Sequence, residues 1–249
     1  MQSLETEMEA FLCRLLPGCD QQWRGAAPQE ISQIAALAGQ SLPPFYQWFL
    51  AKMGHSMGAM RIGVRDMSVS AILSIYQEEE AILEPSKLLI GYESDDMMPM
   101  HIYYDLNIRC RDDAQIFSTP AGGGLIYVSF ETFREMLAWN SLLSYRIRSA
   151  PQSCTGCISS EASPPGIQLS RILEIAGFTQ PIATGDFCGV FERDNAALVW
   201  MVPPSDQPKP YLFFRLGGAD AGVLRQVLDA VATKTDLQVE IERWQPALA

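Results

Sequence analysis

Apolar side chains recur at helical spacing through the first fifty residues and gather into short runs after them. Leu4, Met8, Phe11, Leu12, Leu15 and Leu16 predict a helix over residues 4–16, stopped by Pro17-Gly18. A second helix is expected over 28–38, where Ile31, Ile34, Ala35 and Leu37 are apolar. Pro28 suits its first turn, because the N–H that proline lacks would be unpaired there anyway. A third opens at Pro43 or Pro44, carries Phe45, Trp48, Phe49 and Leu50, and breaks at Gly54. Beyond Gly54 the runs 60–64, 87–92, 101–106, 114–118 and 124–128 are bounded by Gly, Pro, Asp or Asn and read as strands. Helices are expected at 69–80, with Ile72, Leu73 and Tyr76 on one face, and at 130–145, with Phe133, Met136, Leu137 and Leu143. Ser129 with Thr132 and Glu131 supplies an N-cap and an acidic first turn for the latter.

Residues 149–166 are short of large apolar side chains and rich in Ser, Pro and Gly, which is the composition of a linker. A fresh set of elements follows. A helix is expected at 168–176, strands at 187–193, 196–202 and 211–216, a helix at 220–233 and a closing strand at 237–243. The pattern therefore predicts an α+β protein. N-terminal helices lead into a largely antiparallel sheet (residues 1–148), and after a linker (149–166) comes a second small α+β domain (167–249).

A chain of 249 residues has room for two such cores. No apolar run approaches the ~18 residues a membrane span requires. Glu5, Glu7 and Glu9 stand where a secretory leader would be positive, so a cytoplasmic protein with no membrane partner is expected. A net charge of −11 argues against nucleic acid, whose phosphates are held by Lys and Arg. The six cysteines show no framework spacing, and reduced thiols are expected.

Candidate chemistry is sparse. Cys154-Thr155-Gly156-Cys157 is a lone C-x-x-C without the second pair or nearby histidines that zinc wants. With only His55 and His101 in the chain, any enzymatic site would centre on one of them, and His101 with Asp105 is the arrangement to consider. No nucleophile elbow, metalloprotease helix or phosphate-binding loop occurs, and Gly122-Gly123-Gly124 reads as a turn. Charge is more informative. Between Asp66 and Asp113 eleven acids face only Lys87, Arg109 and Arg111. Such a run is either a solvated surface or a patch that steers a basic partner. Glu78, Glu79, Glu80, Glu84, Glu93, Asp95 and Asp96 are its candidate partner-binding residues.

Several pieces, in order, resemble one family. Trp23-Arg24-Gly25-Ala26, Leu42-Pro43-Pro44-Phe45-Tyr46-Gln47-Trp48-Phe49-Leu50 and Met53-Gly54 are followed by Ile102-Tyr103-Tyr104-Asp105-Leu106. Gln115-Ile116-Phe117 and Tyr127-Val128-Ser129-Phe130-Glu131-Thr132-Phe133 come next. Over about residues 20–145 the chain resembles the SUKH superfamily, which groups fungal regulators of the Smi/Knr type with bacterial immunity proteins. The resemblance implies helices leading into a largely antiparallel sheet and work by protein binding, not catalysis; that no metal or cofactor is expected rests on the missing ligand spacing and nucleophile–base pair. The resemblance also implies a cytoplasmic immunity protein that neutralises a toxin, which the acidic run would suit if that toxin were basic, as a nuclease is. A regulatory scaffold and an enzyme around His101 and Asp105 are the alternatives. The turn Gly54-His55-Ser56-Met57-Gly58 is looser than the family's, and the region after residue 166 lies outside the match.

Overall fold

Three helices open the chain where the spacing places them: α1 (Leu4–Leu15), α2 (Pro28–Ala38) and α3 (Pro44–Met53). The computed structural model describes residues 3–63, 65–78, 81, 84, 86–93, 99–121, 123–161, 164–203 and 211–246. Ser3 caps α1 by accepting the Thr6 N–H at 3.3 Å. Gly39 closes α2 in the left-handed conformation at φ 63°, where a Cβ would be strained. The run 60–64, expected as a strand, is not one. The Met60 N–H returns to the Met57 carbonyl, the Arg65 N–H returns to that of Ile62, and Gly63 sits at φ 62°, so successive turns consume the chain. Val64 lies outside the described residues. Ser68 then caps α4 (Val69–Gln77), accepting the Ala71 N–H at 3.2 Å.

The first sheet is an antiparallel meander of β1 (Lys87–Gly91), β2 (Met100–Cys110), β3 (Asp113–Pro120) and β4 (Tyr127–Phe130). Both of its faces are covered. On one, the cross-strand row Leu89, Tyr103, Phe117 and Val128 packs with Ile75 and Tyr76 of α4, and the Tyr76 hydroxyl accepts the Leu89 N–H at 2.9 Å. The other face presents Leu88, Tyr104, Ile116 and Phe130. There Tyr104 meets Tyr46 edge-on at 5.1 Å between ring centroids, and Phe133 stands edge-on to Phe49 at 4.8 Å. Phe133 opens α5 (Phe133–Leu142), three residues later than expected, because Thr132 rather than Ser129 caps it. Thr132 accepts the Glu135 N–H at 3.2 Å while the Glu135 carboxylate accepts that of Glu131.

The chain divides into two units, residues 1–137 and 138–249, the cut falling within α5. The expected linker at 149–166 and the boundaries drawn from it are therefore corrected. Residues 152–159 form β5 (Gln152–Ser159), an interior strand. The second unit continues with α6 (Pro165–Ile175), β6 (Cys188–Arg193), β7 (Ala196–Met201), β8 (Tyr211–Gly218), α7 (Ala221–Lys234) and β9 (Gln238–Gln245), and its antiparallel sheet runs β6-β7-β8-β5-β9. Small residues in β5 are a packing requirement. A Cβ on Gly156 would come within 2.0 Å of the Glu240 carbonyl oxygen on β9. Leu169 and Leu173 of α6 and Leu224, Val227 and Val231 of α7 share a core with Phe191, Leu198, Trp200, Phe214 and Leu216 of the sheet. β9 is an outer strand, and its pairing with β5 slips between Thr155 and Gly156, leaving Glu242 out of register. No helix among the described residues is long and apolar enough to cross a membrane.

Candidate partner-binding surface

Acidic side chains on short connections default to solvent, yet the carboxylates of this run differ in their surroundings. Glu78 sits at the C-terminus of α4, exposed, and accepts the Ser74 hydroxyl at 2.8 Å. Glu84 is exposed ahead of β1, and its carbonyl receives the Lys87 N–H at 2.9 Å. Glu93 is corrected. It is only 7 % exposed, and its carboxylate accepts the Met100 N–H at 2.8 Å, bracing the exit of β1 against the entry of β2. A carboxylate committed in this way positions backbone and offers nothing to a partner. Glu79, Glu80, Asp95 and Asp96 lie outside the described residues.

The rest of the acidic run is similarly uneven. Asp66 and Asp112 are exposed. Asp105 pairs with Lys87 across the β1–β2 ladder, and the Lys87 ammonium lies 5.1 Å from the centroid of the Phe117 ring. Asp113 is buried on β3, where it accepts the Tyr104 O–H at 2.7 Å, the Ala114 N–H at 2.9 Å and the Arg134 N–H at the start of α5 at 3.0 Å. Burial pushes its carboxyl up to about 6, against the pull of those donors.

One end of the first sheet carries a feature that the hydrophobic pattern conceals. Met100 pairs with Pro120, and the Ala121 N–H reaches the Pro99 carbonyl at 3.0 Å. Glu93 and Pro99, which flank residues 94–98, and the β3–β4 connection therefore share this end. In that connection Gly123 and Gly124 take φ of 80° and 142°, which L side chains rarely adopt. They turn the chain so that Leu125 is 68 % and Ile126 is 48 % exposed. Both were expected within a strand over 124–128, whereas β4 begins at Tyr127. The triple glycine was the available signal. A turn that needs positive φ consumes residues before pairing resumes, and the aliphatics after it are left outside the ladder.

The alternative chemistry does not come together. His101 and Asp105 lie on the same face of β2 but four residues apart, about 13 Å along an extended strand. His101 is 1 % exposed with its ring against Tyr92, and Asp105 is held by Lys87. Cys154 and Cys157, expected in a linker, are on β5, where residues three apart point to opposite faces. Cys154 enters the core, and burial pushes its thiol up to about 12. Cys157 instead approaches Glu240 on β9, its Sγ 3.8 Å from the carboxylate. The pair cannot hold one ion between them. Compared with protein-family models, with curated proteins and with solved structures, the chain finds no match in any of the three.

Proposed function

We propose that the chain is a cytoplasmic binding protein of the SUKH immunity type, which neutralises a basic toxin by direct contact through the end of its first sheet. The exposed Leu125–Ile126 pair carries the reading. Two adjacent large aliphatics held in solvent by left-handed glycines are a cost to an isolated chain. Burying each against a partner returns about 1.5–3 kcal/mol. The ordered sequence resemblance over residues 20–145 and the α+β architecture support the same reading, and the exposed Glu78 and Glu84 supply charge that would draw in a cation-rich partner.

The test uses the full chain and a purified basic toxin domain that it captures. Leu125→Asp with Ile126→Asp should weaken capture by at least about a hundredfold, as expected when a central apolar anchor is lost. Glu78→Lys with Glu84→Lys should slow association at low salt by about tenfold and flatten its dependence on ionic strength, while moving stability by less than about 0.5 kcal/mol. Wild-type affinity in the Leu125/Ile126 double variant would refute the proposed surface.

A further inference from the structure

From Ile31 to Arg65 the chain carries Lys52, Arg61 and Arg65 and no acidic residue, in a molecule of net charge −11. Two of those three cations meet in one place. The turns between α3 and α4 enclose a cleft of about 490 Å³ lined by Met53, His55, Ser56, Arg61, Arg65 and Asp66, with others. Met53 and Met67, 1 % and 3 % exposed, give it a fixed apolar floor. Backbone bonds hold its walls. The His55 and Ser56 N–H groups both donate to the Arg24 carbonyl, at 2.8 and 3.1 Å, and the Val69 N–H donates to Gly54 at 2.7 Å.

Each arginine is anchored through part of its guanidinium. Arg61 Nη1 donates to the Gly58 and Met60 carbonyls at 2.7 and 2.8 Å. Arg65 is held through Nε, which donates to the Met100 carbonyl at 3.3 Å. Its two terminal nitrogens have no acceptor among the described residues. The Ser56 hydroxyl oxygen accepts the Gly58 N–H at 3.0 Å, which leaves its own proton to donate. Two carboxylates stand close to the cleft: Asp66 on the rim accepts the Ser68 N–H at 2.8 Å through Oδ1, and Glu30 meets Nε2 of the lining His55 at 2.8 Å.

We propose that this cleft binds a phosphoryl group. The two terminal nitrogens of Arg65 present parallel donors that match two oxygens of a tetrahedral anion. The Ser56 hydroxyl donates to a third, and Arg61 adds the second positive charge that a dianion calls for. Asp66 opposes the anion and sets the affinity below what the arginines alone would give. This site is independent of the Leu125–Ile126 surface and holds whether or not that surface binds a toxin.

Titration of the full chain with inorganic phosphate and pyrophosphate at low ionic strength, followed by calorimetry or amide chemical shifts, tests it. Saturable binding is expected, with shifts confined to residues 53–68. Arg65→Ala should weaken it about tenfold, the loss of one charge-assisted pair, and Arg65→Lys should recover part of that. Asp66→Asn keeps an acceptor for the Ser68 N–H and removes the opposing charge, so it should tighten binding about threefold. Arg171→Ala, an exposed change on α6, should leave affinity unchanged. The proposal is overturned by an absence of saturable binding, by acetate binding as tightly as phosphate, by an Asp66→Asn affinity no better than wild type, or by an equal loss in Arg171→Ala.

Discussion

In the first unit every strand pairs with the next along the chain, β1 with β2, β2 with β3 and β3 with β4. In the second, β5 waits for β8 and β9 and then lies between them. The two sheets also bury different things. Among the described residues the buried acids Glu93, Asp113 and Glu135 all belong to the first unit, whereas the second packs an aliphatic and aromatic core under α6 and α7. Local pairing lets a strand carry large side chains on both faces, because helices from the same stretch cover both. A strand inserted between two others is limited by how closely their backbones approach. Size is therefore informative in the first sheet, and smallness is informative in the second.

The largest effect is expected where the first unit concentrates its packing. Phe133→Ala removes a ring in contact with Phe45, Tyr46, Phe49 and Tyr104, and should cost about 4 kcal/mol in chemical denaturation. If the units differ as described, amide exchange would speed up chiefly in β2 and β3, with β7 and β8 retaining their protection. The converse change is Gly156→Val in β5, whose Cβ has the Glu240 carbonyl oxygen at 2.0 Å and cannot be seated without moving β9. It should cost about 3 kcal/mol, the upper end for overpacking, with the loss of protection confined to β5, β8 and β9. Wild-type stability in that variant would mean β5 is not the closely flanked strand described here.

The smallest effect is a pH dependence peculiar to the first unit. Asp113 titrates at about 6 in the fold against an ordinary value of 3.8, so the folded state favours the protonated form. Its contribution is fully present below about pH 4 and declines as pH rises through 6, by roughly 2 to 3 kcal/mol. Asp113→Asn should flatten that slope in denaturation midpoints measured from pH 4 to 7. An unchanged slope would mean the hydrogen bonds from Tyr104 and the start of α5 cancel the effect of burial.

The same contrast explains what was legible in the sequence. Helices α1, α2 and α3 announce themselves because proline or glycine punctuates a clear apolar period, and strands β6 and β7 because Asp194-Asn195 turns between two apolar runs. β5 was hidden because Gln152–Ser159 is built from small and polar residues, and its strand character comes from two neighbours that lie far along the chain. The run 60–64 looked like a strand because Met60, Ile62 and Val64 alternate, and turn hydrogen bonds overrode that alternation. At the candidate surface the count of acids was correct, but exposure was not readable. Nothing in composition separates Glu84, in solvent, from Glu93, which is spent on a backbone N–H.

The slipped pairing of β9 has a consequence for how the protein behaves in crowded solution. A regular outer strand offers a row of amides onto which another molecule's strand can zip, the first step toward fibrous aggregates. Here the step at Glu242 bends that row, and Glu240, Glu242 and Arg243 stand exposed along it. At the opposite margin, Thr179 closes part of β6 by exchanging backbone hydrogen bonds with Glu192. Neither margin of this second sheet offers an uninterrupted template, so strand addition at β6 or β9 should stay disfavoured in concentrated solution without a chaperone to shield them.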